Sequence, residues 1–69
     1  MSLRALRDSV QKTQGELARS TAMSQPQLSR FEGRRDHLIS TLRRYVRALG
    51  GEIEVVALLS GRRIPLRDV

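Results

Sequence analysis

Two hydroxyl residues, each followed three positions later by a side chain able to reach back to the backbone, constrain this chain more than any other feature: Thr13 with Glu16, and Ser24 with Gln27. Each pair reads as a capping box, in which the hydroxyl accepts from the third amide of a helix and the longer side chain accepts from the amide of the capping residue. The two boxes lie eleven residues apart. A helix starting after Thr13 must therefore end, and the chain must turn, before the next helix starts after Ser24. Leu17 and Ala18 supply the buried stripe of the first helix, and the turn falls near Ala22 and Met23. In the second, Pro26 sits in the first turn, where its missing N–H costs nothing. Leu28 and Phe31 give that helix a narrow apolar seam, Gln25, Gln27, Ser29 and Arg30 are left facing outward, and Gly33 marks its end.

The same periodicity places two more helices around this pair. Leu3, Leu6 and Val10 predict a short one from about Ser2 to Gln11, and after the polar connection Gly33 to Asp36, Leu38, Leu42, Tyr45, Val46 and Leu49 predict another reaching Gly50. From Glu52 the period becomes two: Ile53, Val55, Ala57 and Leu59 alternate with Glu54, Val56 and Leu58 in a β-branched run. Ser60-Gly61 is a tight-turn signal, and Arg62 to Leu66 returns as a short strand that Pro65 confines to an edge or a bulge. The expected fold is mainly α, four short helices followed by a C-terminal β-hairpin. A chain of 69 residues holds one domain, with residues 1–51 as its helical body and 52–69 as the hairpin element. Two strands alone are marginal in water, and this one is apolar on both faces, so something must cover it. A second copy of the chain is the natural cover, which makes Ile53, Val55, Val56, Ala57, Leu58 and Leu59 the expected dimerisation residues.

Charge narrows the function. The net charge is +6, and twelve of the thirteen basic residues are Arg, whose planar guanidinium makes bidentate contacts to phosphate and guanine. Such a bias favours polyanionic partners. Two short helices joined by a tight turn, the second polar on one side and followed by basic residues, form the helix-turn-helix arrangement, whose second helix inserts its N-terminal residues into the major groove of duplex DNA. Gln25, Gln27 and Arg30 have the side chains for base reading there, Gln toward adenine and Arg toward guanine; for Gln27 the competing role is completion of the cap with Ser24. Arg34 and Arg35, just past the helix, are placed to grip flanking phosphates, and Ser24 and Ser29 are assigned to phosphate with them. Arg43, Arg44 and Arg47 read as a solvated face of the fourth helix, and His37 as a loop or backbone-contact residue.

Other classes fare worse. With no Cys there is no disulfide framework and no thiolate metal site. The longest apolar run, Val55 to Leu59, is far shorter than the roughly 18 residues of a spanning helix, and the N-terminus lacks a secretory pattern, so the expected location is cytoplasmic and no membrane partner is expected. A single His, no phosphate-binding Gly-rich motif and solvent-side acids at Glu52 and Glu54 leave no nucleophile beside a base; no catalytic residue, metal or cofactor is expected.

The run Thr13-Gln14-Gly15-Glu16-Leu17-Ala18, then Met23-Ser24-Gln25, then Leu28-Ser29-Arg30-Phe31-Glu32 resembles the Cro/lambda-repressor-like (XRE) helix-turn-helix family, from Arg7 to about Leu49. The resemblance implies that Gln14 binds a backbone phosphate at the start of the second helix, and that Arg7 and Glu32 form a partly buried ion pair. Ala22 stands where the family's turn has glycine, so that turn is either strained or differently shaped. Thr21 replaces the usual core Leu. The tail from Tyr45 to Ala57, ending in Arg62-Arg63-Ile64-Pro65-Leu66, is similar to small HigA-type antitoxins and related single-domain regulators. That likeness implies a cytoplasmic homodimer on a palindromic operator of double-stranded DNA, autorepression of its operon, and a small ribonuclease toxin as partner. The alternatives are a stand-alone XRE-type or phage-type repressor with no toxin, and an RNA- or protein-binding basic module. The latter is poorly served by two aromatic residues, one of them in a core stripe.

Overall fold

A computed structural model describes residues 1–69 as four helices and a hairpin: α1 (Leu3–Ser9), α2 (Gln14–Thr21), α3 (Gln25–Gly33), α4 (Ile39–Ala48), β1 (Val56–Leu59) and β2 (Arg62–Pro65). The fold class expected from the sequence is the one observed. Both capping boxes form. Thr13 Oγ1 accepts from the Glu16 amide at 3.1 Å while Glu16 Oε1 accepts from the Thr13 amide at 3.1 Å. Ser24 and Gln27 exchange the same bonds at 3.2 and 2.9 Å. The amide of Thr13 holds the Glu16 carboxyl below the usual carboxylate range.

Three helices end in the same six-residue turn, in which one residue at the end takes a left-handed conformation and two amides return to the last carbonyls. After α4 that residue is Gly50, at φ 91°, with Gly51 N donating to Val46 O. After α1 and α2 it is not glycine: Gln11 and Ala22 both stand at φ 58°, and the amides of Lys12 and Met23 donate to Arg7 O and Ala18 O. Ala22 therefore reproduces the glycine turn and carries its steric cost.

The core is small. Leu17, Ala18, Leu28, Phe31 and Tyr45 are buried, with Leu3, Met23, Leu42, Val46, Ala48 and Leu49 packed around them. α2 lies at the centre, against α3 on one side and α4 on the other. Thr21, almost fully buried, satisfies its hydroxyl by donating to Leu17 O at 2.8 Å, which is how a polar side chain occupies a core position without an orphaned donor. Tyr45 packs its ring against Phe31, centroids 5.4 Å apart.

Three expectations shift. Helix α1 stops at Ser9, two residues short of Gln11, because Gln11 is spent on the left-handed turn. Leu38 is the N-cap of α4 and 74% exposed, so it is not part of that helix's buried stripe. Pairing in β1 begins at Val56, not Ile53; Ile53 and Val55 lead up to the strand, and the ladder gains only one bond beyond it, Leu66 N to Val55 O at 2.8 Å.

The hairpin closes through Ser60 and Gly61 at φ 50° and 76°, a two-residue loop with both centres positive, which matches the twist of the strands it joins. Its register pairs Val56 with Pro65 and Leu59 with Arg62. Its main contacts are within itself, and none of its residues belongs to the core cluster. The molecule is accordingly long, 42 × 21 × 19 Å, with Leu58 and Leu59 69% and 60% exposed.

Candidate nucleic-acid interface

Helix α3 is held to the scaffold along one line. Leu28, Phe31 and Glu32 are buried, and with about 100° between successive residues the opposite line runs through Pro26, Arg30 and Gly33, all exposed. Arg30, the one guanidinium on the helix, thus stands between a ring without a polar group and a residue without a side chain. Gln25 and Ser29 flank this ridge on the α2 side; a Cβ at Gly15 would come within 3.1 Å of Gln25 Nε2, so the small residue at the start of α2 is what lets that side chain lie there. Gln27 and Arg34 flank it on the α4 side.

Glu32 is the polar anchor of the helix. Its side chain is fully buried and receives Arg7 Nε at 2.7 Å and Arg7 Nη2 at 3.3 Å, a two-pronged pair. Tyr45 Oη donates to it at 2.8 Å and Gln14 Nε2 at 3.1 Å, and Arg4 Nε stands 3.7 Å away at the exposed side. Burial pushes the Glu32 carboxyl up, but the hydrogen bonds from Arg7, Tyr45 and Gln14 and the charge of Arg7 outweigh it and leave the pKa below the ordinary carboxylate value. The guanidinium of Arg7 is raised, chiefly by its hydrogen bond to Glu32. Burial, then the neighbouring Glu32, push the Tyr45 phenol far above its usual value. A buried carboxylate with donors on both oxygens escapes the penalty that an isolated charge would meet, and it ties α3 to α1, α2 and α4 at once.

The Arg7–Glu32 pair that the family resemblance implied is therefore present. Tyr45 was legible in the sequence as a core residue only; its hydroxyl also reaches Leu3 O at 3.0 Å. The signal was available, since a buried Tyr needs a partner for its O–H, but nothing in the spacing says which. Gln14, expected to bind phosphate, uses one amide N–H on Glu32 and lies partly buried at the start of α2. Gln27 spends its carbonyl on the Ser24 amide, leaving its NH2 group outward. Ser29 is half-buried, whereas Gln25, Arg30, Arg34 and Arg35 are exposed. His37 Nε2 donates to the Phe31 carbonyl, 2.7 Å away, with its ring edge-on to Phe31 at 4.5 Å. Histidines and carboxylates nowhere gather in a group of three that could hold a metal ion, and no helix is long and apolar enough to cross a membrane.

Of the expected dimerisation residues, Ile53, Val55, Val56 and Ala57 are half-buried and Leu58 and Leu59 exposed. They lie on the hairpin arm and its approach, well apart from the outward ridge of α3.

Known proteins share this architecture. The chain is similar to a solved structure described as "DNA bound antitoxin HigA3", with 26% identity, 100% of this chain and 92% of that one covered, and a TM-score of 0.90. It is also similar to one described as "Induced DNA bending by unique dimerization of HigA antitoxin", with 28% identity, 94% and 90% covered, and a TM-score of 0.84. No curated protein sequence matches the chain. A family model described as a helix-turn-helix domain matches residues 2–59, all four helices and the whole of β1, and the chain belongs to that family.

Proposed function

We propose that the chain is a sequence-specific binder of double-stranded DNA that acts as a homodimer, the antitoxin of a type II toxin–antitoxin pair that represses its own operon from the cytoplasm. It is a binding module and not an enzyme. The observation that carries this reading is the orientation of α3: two apolar side chains and a quadruply contacted carboxylate fix one face inward, and the opposite face presents Arg30 with Gln25 and Gln27 beside it. Gln25 and Arg30 are free to meet adenine and guanine edges, and the remaining NH2 of Gln27 can donate to a base acceptor. Gln14, Ser24, Ser29, Arg34 and Arg35 supply phosphate contacts on either side. The similarity to HigA antitoxins, one described as DNA bound and one as dimerising and bending DNA, supports the same function here.

The dimer rests on the hairpin. Both strands of a two-stranded sheet are edges, and β2 is blunted by Pro65 and two arginines while β1 is apolar throughout. Pairing β1 with β1 of a second copy would cover that edge. At the base of the arm, a cleft of about 270 Å³ lined by Arg43, Ile53, Val55 and Leu66 among others continues the same surface, and Arg43 Nε there is buried without a hydrogen-bond partner.

Footprinting on the DNA upstream of the chain's own gene, joined to copurification from cells carrying the intact locus, tests the proposal. A protected palindrome and a small neighbouring gene product that copurifies are expected. Protection without a copurifying protein would make the chain a solitary repressor, and no protection would remove the autorepression.

A further inference from the structure

We infer that Arg44, on α4, is a DNA-backbone contact that works with Arg34 as a two-guanidinium seat for neighbouring phosphates of one strand, one phosphate to each, on the flank of the recognition helix that faces α4. This rests on the DNA-binding reading above and adds to it a side chain outside the helix-turn-helix segment, one that the sequence had placed on a solvated face.

The observation is a cleft of about 370 Å³ between α3 and α4. Its walls carry Arg30 from α3, Arg34 from the cap that follows it and Arg44 from α4, with Gln27 and the Ala22-Met23 turn also lining it. No carboxylate lines it. The ion pairs of the molecule engage Arg4, Arg7 and Arg47, so all three arginines of the cleft stand without an acid within salt-bridge distance. Three like charges converging on one concavity repel one another and concentrate a positive potential there, and an anion of small size relieves that repulsion. A guanidinium from a second element makes the seat deeper than the flat row that consecutive arginines on one helix would give.

Geometry says which anion. An α-helix with its side chains is about 10–12 Å across, and the major groove is about 12 Å wide. A helix lying in it therefore has a sugar–phosphate wall on each side. With the ridge through Arg30 turned to the bases, one wall faces the start of α2, where Gln14 and Gln25 lie, and the other faces the Arg34–Arg44 cleft. Arg30 lies on the ridge that meets the bases, whereas Arg34 and Arg44 stand on the side of the cleft toward that wall. Phosphates hold register without reading sequence, so Arg44 fixes how deep and at what angle α3 enters the groove.

The test is the salt dependence of binding by the full chain, wild type against Arg44→Ala, on two duplexes: one with the footprinted palindrome and one of unrelated sequence. Arg44 is exposed, and circular dichroism checks that the variant stays folded. One phosphate contact contributes about 0.9 to the slope of log K against log salt. Arg44→Ala is therefore expected to flatten the slope by about that amount per protomer and to weaken binding about eightfold per protomer at 0.1 M salt, the factor that slope gives between 0.1 and 1 M. The loss should be the same on both duplexes. Arg44→Lys should restore the slope, and Arg47→Ala, whose cation is paired with Glu52, should leave it unchanged. An Arg44→Ala slope equal to wild type overturns the inference while leaving the DNA reading intact. A loss confined to one base pair overturns it in favour of base reading, and wild-type protein that binds neither duplex overturns the DNA reading itself.

Discussion

Ala22 joins α2 to α3 in a left-handed conformation that costs an L-residue about 1–2 kcal/mol. Ala22→Gly removes that cost and adds back part of it as unfolded-chain entropy, so a net stabilisation of about 0.5–1 kcal/mol is expected, read as a higher urea midpoint at unchanged m-value. A fall in the midpoint would mean that the turn is not strained. Arg30 differs in kind, because it supports nothing in the fold and its whole effect should lie in recognition. Arg30→Ala should cost about 1–3 kcal/mol of discrimination at a single base pair, measured by binding to operator duplexes changed one pair at a time; an equal loss on every duplex would reduce Arg30 to a phosphate contact. Hydrophobic spacing made Leu28 and Phe31 legible as inward and Arg30 as outward. It could not show that the hydroxyl of Tyr45 and the amide of Gln14 converge on Glu32, since periodicity states which face a side chain is on and not which polar tips meet across the core.

At the scale of elements, α2 and α3 were legible almost to the residue because both open on capping boxes and α3 closes near a glycine. Those are local signals, complete within four residues. The ends set by tertiary geometry were less so: α1 yields Gln11 to its turn, Leu38 caps α4 from outside, and the apolar run from Ile53 enters the ladder only at Val56. An alternating pattern marks a strand-like surface but not where its partner begins, and β2 is only four residues long. Leu58 and Leu59 belong to no core in the single chain. Replacing both with Ser removes at least about 1.5 kcal/mol of burial per leucine if a second copy covers them. Sedimentation should then show self-association weakened at least a hundredfold with helical dichroism unchanged. A double variant that stays dimeric would move the interface off the hairpin.

For the molecule as a whole, one buried cluster sets the response to pH. Glu32 has a lowered pKa in the fold, so the stability it contributes is complete above its unfolded value, about 4.3, and drains away as pH falls through the folded value. Tyr45 is raised; its contribution is complete below about pH 10 and is lost as pH climbs toward the folded value. Urea midpoints should hold level between these limits and drop on both sides. With one Tyr and no Cys in the chain, Tyr45→Phe should abolish most of the alkaline drop; an unchanged alkaline limb would show that the cluster is not its source. The same cluster holds α3 against the other three helices, and so keeps the outward ridge in place for DNA. The most direct measurement of that role is selection of bound duplexes from a random pool by the intact protein. The expected result is an inverted repeat whose half-sites are centred about 34 Å apart or a multiple of that, one for each recognition helix of a symmetric dimer. Enrichment of no sequence, or of a single unrepeated site bound by one copy, would contradict it.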